Sequence, residues 1–166
     1  KNLKATTFGD ELKFANNYRS KVFGISIKDR GAILSAGHVA DAAYWLDSKE
    51  GNFISSTYYI DELPNWVKVF NKKDLVTQYL NQTWTNSIST GILEKYTDAD
   101  NGSYERIFKG KSTPTFPYDL KSLRNDNKDK ELIATTPFGN SFLVNFAEEL
   151  IKNEKLLWSE NQGLLV

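Results

Sequence analysis

The spacing of apolar residues changes several times along the chain. From Phe8 to Tyr18 they recur at helical intervals, with Leu12, Phe14 and Ala15 on one face, which predicts a helix. Val22–Ile27 is a nearly continuous apolar run, the pattern of a strand covered on both faces. A helix leading straight into such a strand is the signature of an α/β layer. Residues 41–47 and 53–60 are rich in aromatic residues, and the second run also in β-branched ones. Residues 49–52 between them carry turn chemistry, so the pair predicts a β-hairpin. A short helix is expected over Glu62–Asn71, with Pro64 tolerated in its first turn and Trp66, Val67 and Phe70 at helical spacing. Lys73–Leu80 adds a turn or two, with Leu75, Val76 and Leu80 inside. Thr135, Thr136 and Pro137 open a longer helix running to about Lys152, with Pro137 at its first position and Phe142, Phe146, Leu150 and Ile151 as its apolar stripe. Gly163–Val166 is expected to start a buried strand.

Between Trp84 and Lys130 the texture changes. Residues 98–102 form a loop, residues 109–118 hold two prolines, and residues 123–130 are highly charged. This stretch is expected to be an inserted α+β cap or surface region with a few short strands, such as Arg106–Phe108. Asp98, Asp100 and Asn101 do not meet the calcium-loop pattern, which needs further carboxylates and a twelfth-position Glu. They are expected to form a solvated loop.

Bulk composition narrows the function. The 166 residues amount to one domain or part of a larger one. Lysine plus arginine and aspartate plus glutamate are both 21, so the formal net charge is zero, which argues against a large nucleic-acid footprint but not against a small local basic site. No apolar run approaches 18 residues, so no membrane-spanning helix is expected. With no cysteine, disulfides, thiolate metal sites and a cysteine nucleophile are excluded. His38 is the only histidine, a severe limit on any metal or acid–base centre built within the chain. The chain begins with Lys1, lacks methionine, and stops as a strand begins, so it is expected to be a segment of a longer protein.

The candidate chemistry is at residues 28–31. In an extended chain, residues two apart point the same way, so Lys28 and Arg30 would reach together from the end of the first strand, with Asp29 opposite. Two converging cations suit an anion, above all a phosphate. On spacing alone, two solvated charges at a strand end are the commoner case.

A family resemblance changes that balance. It runs through Lys-Asp-Arg-Gly at 28–31, Ala-Ile-Leu at 32–34, Ala-Gly-His at 36–38 and Ala-Asp-Ala-Ala-Tyr-Trp at 40–45. It continues through residues 51–60 and 63–67 and returns at 136–140. This sequence resembles the periplasmic, phosphate-irrepressible alkaline phosphatases of the alkaline phosphatase superfamily, close to the phosphodiesterase/nucleotide pyrophosphatase branch. The resemblance implies part of an α/β sheet covered by helices, from an enzyme that hydrolyses phosphate monoesters. It implies two zinc ions and a phosphorylated Thr or Ser nucleophile, with nucleophile and metal ligands outside residues 1–166. It implies that Lys28 and Arg30 are catalytic and substrate-binding, gripping the phosphoryl oxygens. It implies that Asp29 and His38 are structural. The implied partners are a phosphate ester and the rest of a parent chain, with no nucleic acid or membrane, and the implied location is periplasmic or secreted.

Two other readings compete. The same fold could serve as a non-catalytic phosphate-binding module. Residues 33–39 also look like the histidine segment of trypsin-like proteases, but that fold needs two β-barrels and a Gly-x-Ser-Gly nucleophile. Ser141 lacks the following glycine and falls on an expected helix.

Overall fold

The computed structural model describes residues 3–93, 95–157 and 162–166. Four strands make the main sheet: β1 (Lys21–Ser26), β2 (Ala42–Asp47), β3 (Asn52–Ile54) and β6 (Gly163–Leu165), in the order β3-β2-β1-β6. β2 and β6 flank β1 in parallel, with Phe23 opposite Ala42 on one side and Leu165 on the other. β3 runs antiparallel to β2, Leu46 facing Phe53. The continuous apolar character of β1 thus reflects a central strand, and the expected final strand pairs beside it but is not buried, with Gly163 and Val166 exposed and Leu164 and Leu165 only half-buried.

Helices cover both faces. α1 (Phe8–Ala15) and α2 (Asp29–Ala36) lie on one side. α3 (Asn65–Lys72), α4 (Leu75–Leu80) and α7 (Phe138–Glu154) build the other side, joined by a 3-10 helix at Asp129–Thr135. The period-two alternation of β2 sorts its side chains between the layers. Ala42, Tyr44 and Leu46 enter the large core, and Ala43 and Trp45 face α2. The large core is aromatic. Phe53 stacks on Phe146 at 3.8 Å and on Phe142 at 4.9 Å, and Tyr44 meets Phe146 edge-on at 5.4 Å. Burial of large rings of this kind supplies most of the favourable free energy of such a layer.

The α2 layer is built on the opposite plan, from small residues. Ala32, Ala36 and Ala43 are fully buried. A Cβ placed on Gly24 would fall 2.4 Å from the Ala32 carbonyl oxygen and 2.8 Å from the Ala36 Cβ. Only glycine on β1 lets α2 come this close.

The sheet edge at β3 is closed by one side chain. The Asn71 amide accepts from the Phe53 N–H and donates to the Phe53 carbonyl, both at 2.9 Å. A neighbouring strand would make the same two bonds.

Beyond α4, β4 (Thr83–Trp84) and β5 (Tyr118–Asp119) form an antiparallel ribbon, with α5 (Thr90–Leu93) and α6 (Leu120–Leu123) alongside. Trp84 stacks on Tyr118 at 5.1 Å, and Phe116 and Phe108 meet Tyr118 edge-on.

Several sequence expectations need correction. Arg106–Phe108 is irregular and pairs with no strand among the described residues, so the short strand lies at Tyr118–Asp119 instead. The first helix ends at Ala15, because Asn17 and Tyr18 turn the chain at positive φ. The second hairpin strand stops at Ile54, where the Ser55 hydroxyl donates to the Ala43 carbonyl at 2.7 Å and the chain turns away. Pro137 is the N-cap of α7 and not its first helical residue. A trypsin-like reading fails on the architecture, since a mixed sheet between helical layers stands where that fold needs two β-barrels.

Candidate functional site

α2 begins immediately beyond the carboxyl end of β1, the side on which open α/β sheets bind their ligands. Ser26 closes the strand, and its hydroxyl accepts from the Lys28 N–H at 3.2 Å. Lys28 is the N-cap of α2, with extended backbone at φ −107° and ψ 133°, and its carbonyl accepts from the Ala32 N–H at 3.2 Å. Asp29 and Arg30 are the first two helical residues.

The spacing argument therefore describes the wrong backbone. An extended run would place Lys28 and Arg30 on one side by strand alternation, but the chain turns helical at Asp29. The two cations are brought together by flanking the same helix N-terminus. First-turn N–H groups there lack intrahelical partners, and the helix dipole is positive, so the backbone favours an anion at the same place. Lys28 and Arg30 are both exposed, and neither has an ion-pair partner among the described residues. Asp29 is exposed and its side chain bonds to nothing among the described residues, so it is not the structural partner that the resemblance implies. Its place in the first turn still suits the dipole.

The helix carrying the pair is firmly mounted. Gly31 passes so near the strand end that a Cβ there would lie 2.4 Å from the Ser26 Oγ. One turn further on, Ala32 and Ala36 rest on Gly24 and Ala43.

The C-terminal end of α2 is tied to α1 through a buried carboxylate that sequence reasoning overlooked. Asp10 is completely buried. Its oxygens accept from the Thr7, His38 and Val39 N–H groups at 3.0, 2.7 and 2.9 Å. The Thr7 hydroxyl accepts in turn from the Asp10 N–H, completing a capping box. Burial alone would raise the Asp10 carboxyl, but the hydrogen bonds from Val39, Thr7 and His38 outweigh it and hold it below the ordinary carboxylate range. The Thr-x-x-Asp spacing at 7–10, just before an apolar run, was the available signal.

His38 is engaged on both ring nitrogens. Nδ1 is 3.1 Å from Asp10 Oδ2, and Nε2 is 3.1 Å from the Leu3 carbonyl oxygen. Its role in this chain is to join elements, as expected. Ser141 lies exposed on α7. Asp100 accepts from the Phe116 N–H at 3.0 Å, which ties its loop to the ribbon. Among the described residues, no three His, Cys, Asp or Glu side chains are grouped to hold a metal ion.

A cleft of about 380 Å³ runs along the outer face of α2, lined by Arg30, Ile33, Leu34, His38, Tyr58 and Tyr59 among others. The Tyr59 hydroxyl donates to the Gly37 carbonyl at 2.7 Å, and burial first, then the nearby Tyr58 and Asp10, pushes its pKa up to about 12.

A mixed sheet whose central, parallel-paired strand leads into a helix start bearing two cations defines an α/β protein with a candidate anion site. Comparison with known proteins narrows this. The chain is 47% identical over 99% of its length to alkaline phosphatase PhoV of Synechococcus elongatus, and 42% identical over 94% to alkaline phosphatase PafA of Elizabethkingia meningoseptica. It is 52% identical over 94% of its length to a protein of Myroides odoratus named calcium-transporting ATPase. The crystal structure of wild-type PafA superposes with a TM-score of 0.90 at 40% identity, covering 99% of this chain. No family model matches. In sequence and in fold, the chain is homologous to the PhoV and PafA alkaline phosphatases. It spans about three-tenths of the length of these relatives.

Proposed function

We propose that this chain supplies the phosphoryl-gripping segment of a metal-dependent phosphate monoester hydrolase, with Lys28 and Arg30 as the gripping residues. The observation that carries the reading is their shared position. Both flank the N-terminus of α2, directly beyond the central parallel strand, on a helix fixed to the sheet through Gly24, Ala32 and Ala36. Further support comes from a solved variant of alkaline phosphatase PafA in which a lysine and an arginine two positions apart are both replaced by alanine, the spacing of Lys28 and Arg30.

In phosphoryl transfer, charge shifts onto the non-bridging and leaving oxygens as the bond to the alcohol lengthens. Cations already held in place stabilise that charge without the reorientation that water would require. Arg30 offers a planar fork of donors suited to two oxygens at once, and Lys28 adds a point charge. The names carried by the relatives fit the same centre. A phosphatase and an ATPase both break a bond to a terminal phosphoryl group, the moiety that Lys28 and Arg30 would hold.

The two zinc ions implied by the resemblance do not fit the described residues, which bring no three ligands together and engage His38 on both nitrogens. Their ligands, and the nucleophile, belong to other parts of the enzyme. Residues 84–130 are read as a cap, with the ribbon of Trp84, Phe116 and Tyr118 as its aromatic centre. No helix among the described residues is long and apolar enough to cross a membrane. A periplasmic or secreted enzyme is the location that fits the resemblance.

The test is to replace Lys28 or Arg30 by Ala in the enzyme carrying this segment. Loss of one preorganised donor is expected to lower kcat/KM for a phosphate monoester by about a hundredfold, with circular dichroism unchanged. Near-wild-type turnover in both folded variants would reduce the pair to solvated charges.

A further inference from the structure

We infer that the cleft beside Arg30 receives the alcohol portion of the ester and selects a flat, apolar group such as benzyl or aryl over a small or polyhydroxylated one. This rests on the reading of Arg30 as a phosphoryl contact.

Ile33 and Leu34 lie three and four residues after Arg30 on α2, so each neighbours Arg30 on the helix surface, with Cβ atoms about 5 Å from it. The cation and the apolar wall are therefore contiguous, and a phosphoryl group held by Arg30 has its ester oxygen within reach of the cleft. The opposite wall is aromatic. Tyr58 and Tyr59 meet edge-to-face, with centroids 4.9 Å apart and planes at 84°. Their hydroxyls are engaged by backbone, Tyr58 donating to the His38 carbonyl at 3.1 Å and Tyr59 to the Gly37 carbonyl at 2.7 Å. What they present to a guest is ring surface, which suits a flat apolar group better than a sugar.

Charge points the same way. Among the described residues that line the cleft, Arg30 and His38 are the only ionisable groups apart from the two tyrosines, and none is a carboxylate. An anionic ester meets no repulsion at its mouth. The volume is within the range of small-ligand clefts. Leu34 is 46% exposed, so apolar surface is left at the entrance for a guest to cover.

The experiment compares benzyl phosphate with methyl phosphate on the enzyme carrying this segment. The two leaving alcohols are nearly equal in acidity, so the ratio of kcat/KM values reads contacts and not bond strength. The wild-type ratio is expected to favour benzyl phosphate by at least about tenfold, the gain from covering part of a ring. Leu34→Asn is expected to bring the ratio down about tenfold, and Leu34→Ala, which adds no polar group, to fall between. Val144→Asn, on a half-exposed apolar position of α7, should leave the ratio unchanged. A wild-type ratio near one overturns the inference. So does an equal loss on both esters in the two Leu34 variants, which would make Leu34 a structural wall. Arg30→Ala separates the underlying reading: it should depress both esters alike, and if it depresses neither, that reading fails whatever the ratio shows.

Discussion

His38 Nδ1 is 3.1 Å from the buried carboxylate of Asp10, across 28 residues of sequence. The same carboxylate takes the backbone N–H groups that follow α2 and the one that precedes α1. One side chain thus fastens the end of the helix carrying Lys28 and Arg30. Asp10→Ala leaves several part-buried donors without an acceptor, and is expected to destabilise the fold by about 3 kcal/mol. Urea unfolding followed by tryptophan fluorescence measures this. A loss below about 0.5 kcal/mol would mean that water replaces the carboxylate.

Acid should remove that contribution. The Asp10 carboxyl is held below its ordinary range, since the hydrogen bonds outweigh the opposing effect of burial. A group with a depressed folded value stabilises the fold above its unfolded value, near 4, and ceases to do so as pH falls through the folded value. The stability gap between wild type and Asp10→Asn should therefore narrow as pH drops from about 5 towards 2. A gap that stays constant over that range would show that the carboxylate charge is not what stabilises.

Arg30→Lys keeps the charge but replaces a bidentate fork with a point donor, so it should recover only part of the activity lost in Arg30→Ala. Combined with Lys28→Ala, Arg30→Ala should cost less than the sum of the single changes if both residues grip one group, as proposed. Kinetics of the two singles and the double variant, on one ester, decide the matter. Strict additivity would place the residues on separate groups.

Two glycines should differ in sensitivity. Gly24→Ala drives a methyl into the Ala32 carbonyl oxygen and the Ala36 Cβ, atoms that move only if α2 moves, and is expected to cost about 3 kcal/mol and to reduce turnover. Gly31→Ala meets the Ser26 hydroxyl at 2.4 Å but its Cβ only at 3.0 Å. That hydroxyl can rotate, so the cost should be about 1 kcal/mol. Thermal melts of both variants test the order.

The chain alone, given zinc and an aryl phosphate, is expected to show no turnover, because its described residues assemble no metal centre. Zinc-dependent hydrolysis rising with added protein, above a mock preparation, would reverse this.

Much of the scaffold was legible because its periodicities are strong. The unbroken run of Val22–Ile27 announced a central strand, the apolar end at Gly163–Val166 its neighbour, and the spacing of Phe142, Phe146 and Leu150 the long helix. Weak local signals failed. Arg106–Phe108 has strand composition but no partner strand among the described residues, and pairing, not composition, makes a strand. Lys28 and Arg30 were picked out, but through a strand geometry that ends at Ser26. Asp10 escaped notice because its partners at residues 38 and 39 are distant in sequence. The tyrosines at 58 and 59 looked like the rest of a hairpin strand, whereas their hydroxyls dock on the carbonyls that end α2.

The all-small contact between α2 and the sheet separates two tasks that binding sites often merge. Gly24, Ala32, Ala36 and Ala43 decide where the helix start is, and none of them is a charged group that could meet an anion. On the proposed reading Lys28 and Arg30 would decide what is held there, and neither contributes to the buried layer. Residues at the tip can therefore vary without unseating the helix. A lineage could trade one anionic substrate for another by point changes at 28 and 30, while changes at 24 or 36 would shift the position of every ligand at once.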